Sequence, residues 1–174
     1  EPQLSAISIS AVEASSSDAV WLGRAAPLQP PALVHIPDVG AWARDGCMLE
    51  EPGAIAGGSD LAAARLVRQL PPQFDGSSLT TEQLEATSAD GTRVPYFITR
   101  RIDAPSAAPA LLYAYGGFEI PVLPMYQGSV GVAWLERGGI FVMANIRGGG
   151  EFGPQWSNDG RREGRLQAYE DVEA

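Results

Sequence analysis

Two short runs that are apolar almost without interruption do most to restrict what this chain can become: residues 110–115 (ALLYAY) and 140–146 (IFVMANI). A strand with one wet face alternates polar and apolar residues, whereas a continuous run reads as a strand covered on both faces. Each run ends in glycine, Gly116-Gly117 after the first and Gly148-Gly149-Gly150 after the second. Between them, residues 129–137 (SVGVAWLER) fit a helix with Val130, Ala133, Trp134 and Leu135 inward and Gly138-Gly139 as its stop. Two covered strands joined through a helix make a βαβ unit, with parallel strands and a right-handed crossover. The expected class is therefore an α/β fold with an open sheet. Such sheets place their sites at the carboxyl ends of the strands, where both glycine clusters fall.

The flanking segments extend this picture. Residues 79–87 and 92–101 read as a hairpin around the turn 88–91 (SADG), where Asp-Gly favours type I′. Pro95 lies in the returning strand and cannot donate to a ladder, so an open side is expected beside it. Residues 71–78 (PPQFDGSS) read as a linker with little to bury and mark a domain boundary. Before it, residues 6–12, 19–23 and 32–36 read as short strands of an all-β region. Pro27, Pro30 and Pro31 assign their segment to an edge or a loop. Residues 57–70 fit a helix capped by Ser59 or Asp60, with a strand left open. The stretch from about Arg162 to Ala174 begins another helix.

Composition narrows the function. Of 174 residues, 45% are hydrophobic and 19% charged, a globular balance. All 12 basic residues are Arg, and 21 acidic residues bring the formal net charge to -9. Without a basic cluster, a binder of nucleic-acid backbones is not expected. One Cys (Cys47) and one His (His35) exclude an intrachain disulfide framework, a Cys-rich zinc site and a multi-His metal site. No apolar run approaches the roughly 18 residues that span a bilayer, so no membrane association is expected. The first residues, EPQLSAISIS, carry no Met, basic region or apolar core. The chain is expected to be an excerpt from a longer protein.

Tyr115-Gly-Gly-Phe118 follows a covered strand and precedes a helix. In α/β-hydrolases the loop after the third strand lends a donor to the oxyanion hole, and glycines let backbone approach a developing anion. The alternative is a strand-end Tyr packed in the core above a glycine turn. Arg147-Gly-Gly-Gly-Glu-Phe-Gly153 places Gly148, Gly150 and Gly153 as G-x-G-x-x-G. No strong helical pattern follows at once and Pro154 interrupts, which favours a structural loop with Arg147 and Glu151 available for a charge pair. His35 reads as a packed or exposed side chain, and Cys47 as a small hydrophobe. Glu170 and Asp171 fall early in the last helix, where carboxylates suit its dipole. No G-x-S-x-G elbow occurs.

Residues 111–120 (LLYAYGGFEI) and 134–156 (WLERGGIFVMANIRGGGEFGPQW) closely resemble the prolyl oligopeptidase family of serine peptidases. Residues 86–98 (ATSADGTRVPYFI) resemble the hairpin that opens that family's catalytic domain. Residues 28–36 (LQPPALVHI) are similar to the end of its β-propeller. The resemblance implies a partial α/β-hydrolase sheet, the hairpin plus βαβ, preceded by a short all-β propeller segment. Residues 1–72 would close the propeller, and residues 73–174 would open the catalytic domain. It implies hydrolysis of short proline-containing peptides through an acyl-enzyme on Ser, without metal or organic cofactor. Tyr115 matches the oxyanion Tyr, and Phe118 the aromatic lining the pocket for the proline. Ser157 stands where the family usually has His, and Tyr169-Glu170-Asp171 where it has Phe-Asp-Asp. The nucleophile, in a G-G-S-N-G-G-like elbow, would lie shortly beyond Ala174, with the triad Asp and His later still.

The partners implied are a short peptide and the remainder of the same polypeptide. A cytoplasmic location is expected, with the periplasm open should a leader precede Glu1. A related esterase or aminopeptidase, and a non-catalytic remnant, stay open as alternatives. Residues 1–174 alone are expected to be poorly folded or self-associating and to lack peptidase activity. Active-site-titratable hydrolysis of a Gly-Pro chromogenic peptide by the purified segment would contradict the latter.

Overall fold

The computed structural model describes residues 8–14, 19–38, 40, 65–105 and 107–174, and of 8–14 the backbone alone. Four strands form the first sheet: β1 (Ser8–Ala14), β2 (Val20–Ala26), β3 (Gln29–Ile36) and β4 (Arg65–Gln69). They lie in chain order and each neighbouring pair is antiparallel. Residues 65–69, part of the expected helix, are therefore a strand. Arg65 and Leu66 pair with His35 and Val34. A β-branched and apolar partner strand outweighs a modest local helical spacing. Residues 57–64 and Cys47 lie outside the described residues.

Pro30 and Pro31 lie inside β3, an interior strand, and not at an edge. The ladder accommodates them. Pairing with β2 shifts register between Arg24 and Ala26, and pairing with β4 starts only at Ala32. The prolines thus occupy a bulge and the first turn of the strand, where a missing N–H costs no ladder bond. Inward residues alternate along β3, with Ala32, Val34 and Ile36 all buried. His35 packs its ring against Trp21, with centroids 4.5 Å apart.

The second sheet has the order β5-β6-β8-β7. Its strands are β5 (Leu79–Thr87), β6 (Arg93–Arg101), β7 (Ala110–Ala114) and β8 (Ile140–Ala144). β5, β6 and β8 are antiparallel neighbours, whereas β7 and β8 run parallel. The crossover between β7 and β8 contains α1 (Gly128–Ala133) and a 3-10 turn (Leu135–Arg137). Gly138 ends it in the left-handed region at φ 85°. The Asp-Gly turn is not type I′. Gly91 alone has positive φ, at 87°. Gly91 N donates to Ser88 O at 2.9 Å and Ser88 N to Thr92 O at 2.8 Å, a type I turn followed by a left-handed glycine. The Asp90 carboxylate takes the Thr92 N–H at 2.9 Å, which holds Asp90 itself in an ordinary conformation. Pro95 sits where the β8 ladder stops at Tyr96, so its missing N–H meets no strand partner.

Only one of the two apolar runs is covered. β8 is buried along most of its length, but in β7 Leu111, Leu112 and Tyr113 are 44–48% exposed. β7 is an edge strand, and its outer side has no hydrogen-bonded neighbour among the described residues. The main core lies on the face of the sheet beneath α1: Phe74, Leu79, Phe97, Leu135, Phe141 and Met143, with Trp134 and Leu28 packed against it. Phe74 comes from the segment expected to bury little. Its ring fills the space that Gly131 leaves by lacking a Cβ. A second cluster, Val94, Ala144, Ile146 and Ala168, lies under the last helix. Two helices follow β8: α2 (Gly153–Asp159) and α3 (Arg165–Glu173). Pro154 does not interrupt α2 but opens it, since a first-turn residue needs no N–H partner. Among the described residues no helix is long and apolar enough to cross a membrane.

Candidate active site

The loops leaving the parallel strands β7 and β8 lie side by side, as an open α/β sheet requires. Residues 115–127 leave β7, and residues 145–152 leave β8. Tyr115 is 40% exposed, and among the described residues its hydroxyl has no hydrogen-bond partner. The alternative of a core-packed Tyr does not describe this ring. Gly116 follows at φ 55°, and a Cβ there would overlap the Ile146 side chain. Phe118 and Glu119 then adopt φ 55° and 56° in succession. Two adjacent non-glycine residues in the left-handed region cost about 1–2 kcal/mol each and persist only where neighbours hold them. Glu119 N donates to Gly148 O at 3.3 Å, and Gly150 lies so close to the Glu119 carbonyl that no side chain would fit. The result is a Phe118 ring that is 89% exposed.

The glycines of the second loop serve backbone packing. Gly148 abuts the Gly116 carbonyl, and Gly160 abuts the Arg147–Gly148 peptide, each without room for a Cβ. Gly148 N donates to Trp156 O at 2.9 Å, and the Trp156 indole N–H to Ile146 O at 3.1 Å. Of the G-x-G-x-x-G glycines, Gly148 and Gly150 thus serve close backbone contact, whereas Gly153 stands in open space and is required by its φ of 84°.

Arg147 and Glu151 do not pair with each other. Glu151 Oε1 accepts from Val122 N at 2.8 Å and from the Asn145 side chain at 3.1 Å, while its Oε2 is buried without a partner. Asn145 Nδ2 also donates to Val122 O at 2.7 Å. This pair ties the long β7 loop to the β8 loop. Arg147, 4% exposed, turns the other way. Its Nη2 lies 2.6 Å from Asp171 Oδ1, its Nε 3.0 Å from Oδ2, and its own backbone N–H donates to Oδ2 at 2.9 Å. Nη1 donates to Asp90 in the β5–β6 turn, and Nη2 to Ser88 Oγ at 3.2 Å. Asp171 is 3% exposed and stands near the end of α3, not at its start as its sequence position suggested. It answers the guanidinium and not the helix dipole.

Neither Asp90, Asn145 nor Asp171 was singled out as a partner from the sequence. Pairings over 24 and 57 residues leave no local spacing to read. Among the described residues no group of three or more His, Cys, Asp or Glu could hold a metal. An open groove lined by Leu28, residues 72–77 and Glu136 contains none of the predicted site residues.

The hydrogen bond from Arg147, helped by the Thr92 N–H, holds the Asp90 carboxyl well below the ordinary carboxylate range, and Asp171 and Asp90 raise the Arg147 guanidinium further. A depressed carboxyl stabilises the fold above its unfolded value and loses that contribution as pH falls. Stability curves of Asp90→Asn and the unsubstituted protein should therefore converge below about pH 4. Parallel curves from pH 7 to 2 would contradict this. Asp171→Asn leaves a buried guanidinium short of its main counter-charge. It should cost about 3 kcal/mol in urea unfolding, and a change below 1 kcal/mol would reduce the pair to a surface bridge.

Comparison with known proteins places this geometry. The sequence pattern described as the Prolyl oligopeptidase family matches residues 126–174. An uncharacterized peptidase of Sinorhizobium fredii is 47% identical over 110 residues, covering 62% of this chain and 15% of its own length. A prolyl endopeptidase of Elizabethkingia miricola is 37% identical over 101 residues, covering 57% and 14%. The solved post-proline cleaving enzyme of Rickettsia typhi superimposes with a TM-score of 0.74 at 26% identity, over 97% of this chain and 21% of that one. Prolyl oligopeptidase B of Galerina marginata, bound to a 35mer hydrolysis and macrocyclization substrate, shares the fold with a TM-score of 0.75 at 24% identity, over 94% and 21%. The chain thus spans about a seventh of the curated relatives it matches. The second sheet is a partial α/β-hydrolase sheet and the first an all-β propeller segment, and from the β7–β8 crossover through α3 the chain matches the sequence pattern of the prolyl oligopeptidase family, whose members it resembles in sequence and fold.

Proposed function

We propose that the whole protein hydrolyses short proline-containing peptides by acyl transfer, and that Tyr115 donates to the oxyanion of the tetrahedral intermediate. The reading rests on one observation above all: a Tyr115 side chain, 40% exposed and with no hydrogen-bond partner for its hydroxyl among the described residues, stands at the carboxyl end of a parallel strand, in a loop pinned from below by glycine and backbone contacts. A donor that is already oriented needs no reorganisation when charge develops, and such a donor is worth about 2.7–4 kcal/mol in the transition state. A Ser attacks the carbonyl, a His takes its proton, and the same His protonates the leaving amine.

Phe118 supplies a flat apolar face for the substrate's proline ring. Its support is the combination of 89% exposure with a backbone held against its preference. An aromatic ring displayed at such a cost has use for a covering surface. The Ser, His and Asp of the triad would lie outside residues 1–174, since His35, the chain's single His, packs on Trp21 in the first sheet. In this reading residues 1–72 complete a propeller and residues 73–174 begin the catalytic domain. The solved protein from Rickettsia typhi is described as a post-proline cleaving enzyme, which supports cleavage after proline by the whole protein.

The test is steady-state hydrolysis of an N-terminally blocked Gly-Pro chromogenic peptide by the full-length protein. Tyr115→Phe should lower kcat about 100-fold with KM within about twofold. An unchanged kcat removes Tyr115 from the mechanism. Preference for acyl esters over blocked proline peptides would favour a related esterase instead.

A further inference from the structure

We infer that Arg165 is a positioning residue for this site, an inference that rests on the oxyanion role proposed for Tyr115. Arg165 opens α3, and its Nη1 donates to the carbonyl oxygen of Gly116, the residue directly after Tyr115. The same oxygen rests against Gly148, where a Cβ could not fit. The peptide that follows Tyr115-Gly116 is thus gripped on two sides, by a cation from α3 and by bare backbone from the β8 loop. Rotation of that peptide would swing Tyr115 and Phe118 together, because Gly116, at φ 55°, is the joint between them.

The environment of Arg165 sets it apart from Arg147. Among the described residues, Arg147 meets two carboxylates and Arg165 meets none within ion-pair distance. The Arg165 guanidinium carbon instead lies 5.0 Å from the centroid of the Tyr169 ring, one turn along α3. Stacking aims the planar fork, and one N–H is left to hold a neutral carbonyl. A charge-assisted bond to a single backbone oxygen adds little to a core that Arg147 already ties together. It does fix the direction of one loop, and an oxyanion donor works only within a narrow range of positions. Lys could reach the same oxygen but lacks the planar fork and its stacking.

The test uses the full-length protein and the same blocked Gly-Pro peptide. Arg165→Met, which keeps the apolar stem, should lower kcat about tenfold with KM within about twofold and the melting temperature nearly unchanged. Arg165→Lys, which can reach the oxygen without the stack, should recover part of that loss. In a Tyr115→Phe background, Arg165→Met should cost less than about twofold more, because the group it positions is gone. An unaltered kcat in Arg165→Met overturns the inference. So does a loss that multiplies fully with that of Tyr115→Phe, or one that follows a lowered melting temperature and is not rescued by Lys. If Tyr115→Phe is itself harmless, or the unsubstituted protein does not cleave the peptide, the reading of the site falls and the inference with it. A damaging Tyr115→Phe beside a harmless Arg165→Met removes the inference alone.

Discussion

A buried guanidinium holds three parts of the second sheet together. Arg147 leaves β8 and meets Asp171 from α3 and both Asp90 and Ser88 from the β5–β6 turn. Taking such an ion out of water is costly, and the cost is offset only when its donors find partners in good geometry. Here the fork and the backbone N–H of one residue share one carboxylate, while the remaining donors reach a turn and α3. The hairpin, the glycine loop and the last helix therefore depend on one another. A hydrophobic contact slides; a bidentate pair does not. That difference would matter for the role proposed for Tyr115, which needs a fixed height above the sheet edge.

The glycine-rich loop gains its meaning from that anchor. With Arg147 fixed, Gly148 and Gly160 bring two backbone segments together, and Gly148 and Gly116 a third. Side chains would force these segments apart, so close packing here is a matter of what is absent from the residues. Above this layer the chain takes two left-handed residues, Phe118 and Glu119. Strain above and a polar anchor below form one arrangement: the first would relax without the second.

Much of the second half was legible in the sequence because its signals are local. The run 140–146 supplies the interior strand β8 at 140–144, the Asp-Gly turn sits between two nine-residue strands, and the crossover, a short helix that ends at Ala133 and then a 3-10 turn, stops at Gly138. What escaped was context. The run 110–114 has the composition of a covered strand, yet it lies at an edge, since a strand's composition does not say who its neighbours are. Residues 65–69 carried helical spacing and pair as a strand, because β3 offers a ladder. Phe74 sat among turn residues, and only the notch at Gly131 explains its burial. Tyr115 and Phe118, the residues proposed for the site, came from a recognised motif. Asp171, Asp90 and Arg165 act across long sequence separations, where no periodicity reaches.

β7 is bonded to β8 on one side and borders no other strand among the described residues on the other. A strand's amides point alternately left and right, so half of those in β7 face away from its partner. Those amides exchange with solvent hydrogen freely, while their neighbours, locked onto β8, are protected to the extent that β8 itself stays closed. The strand that delivers Tyr115 to the rim thus carries a built-in isotopic signature: a comb of fast and slow positions that would turn uniformly slow once another strand came to lie alongside.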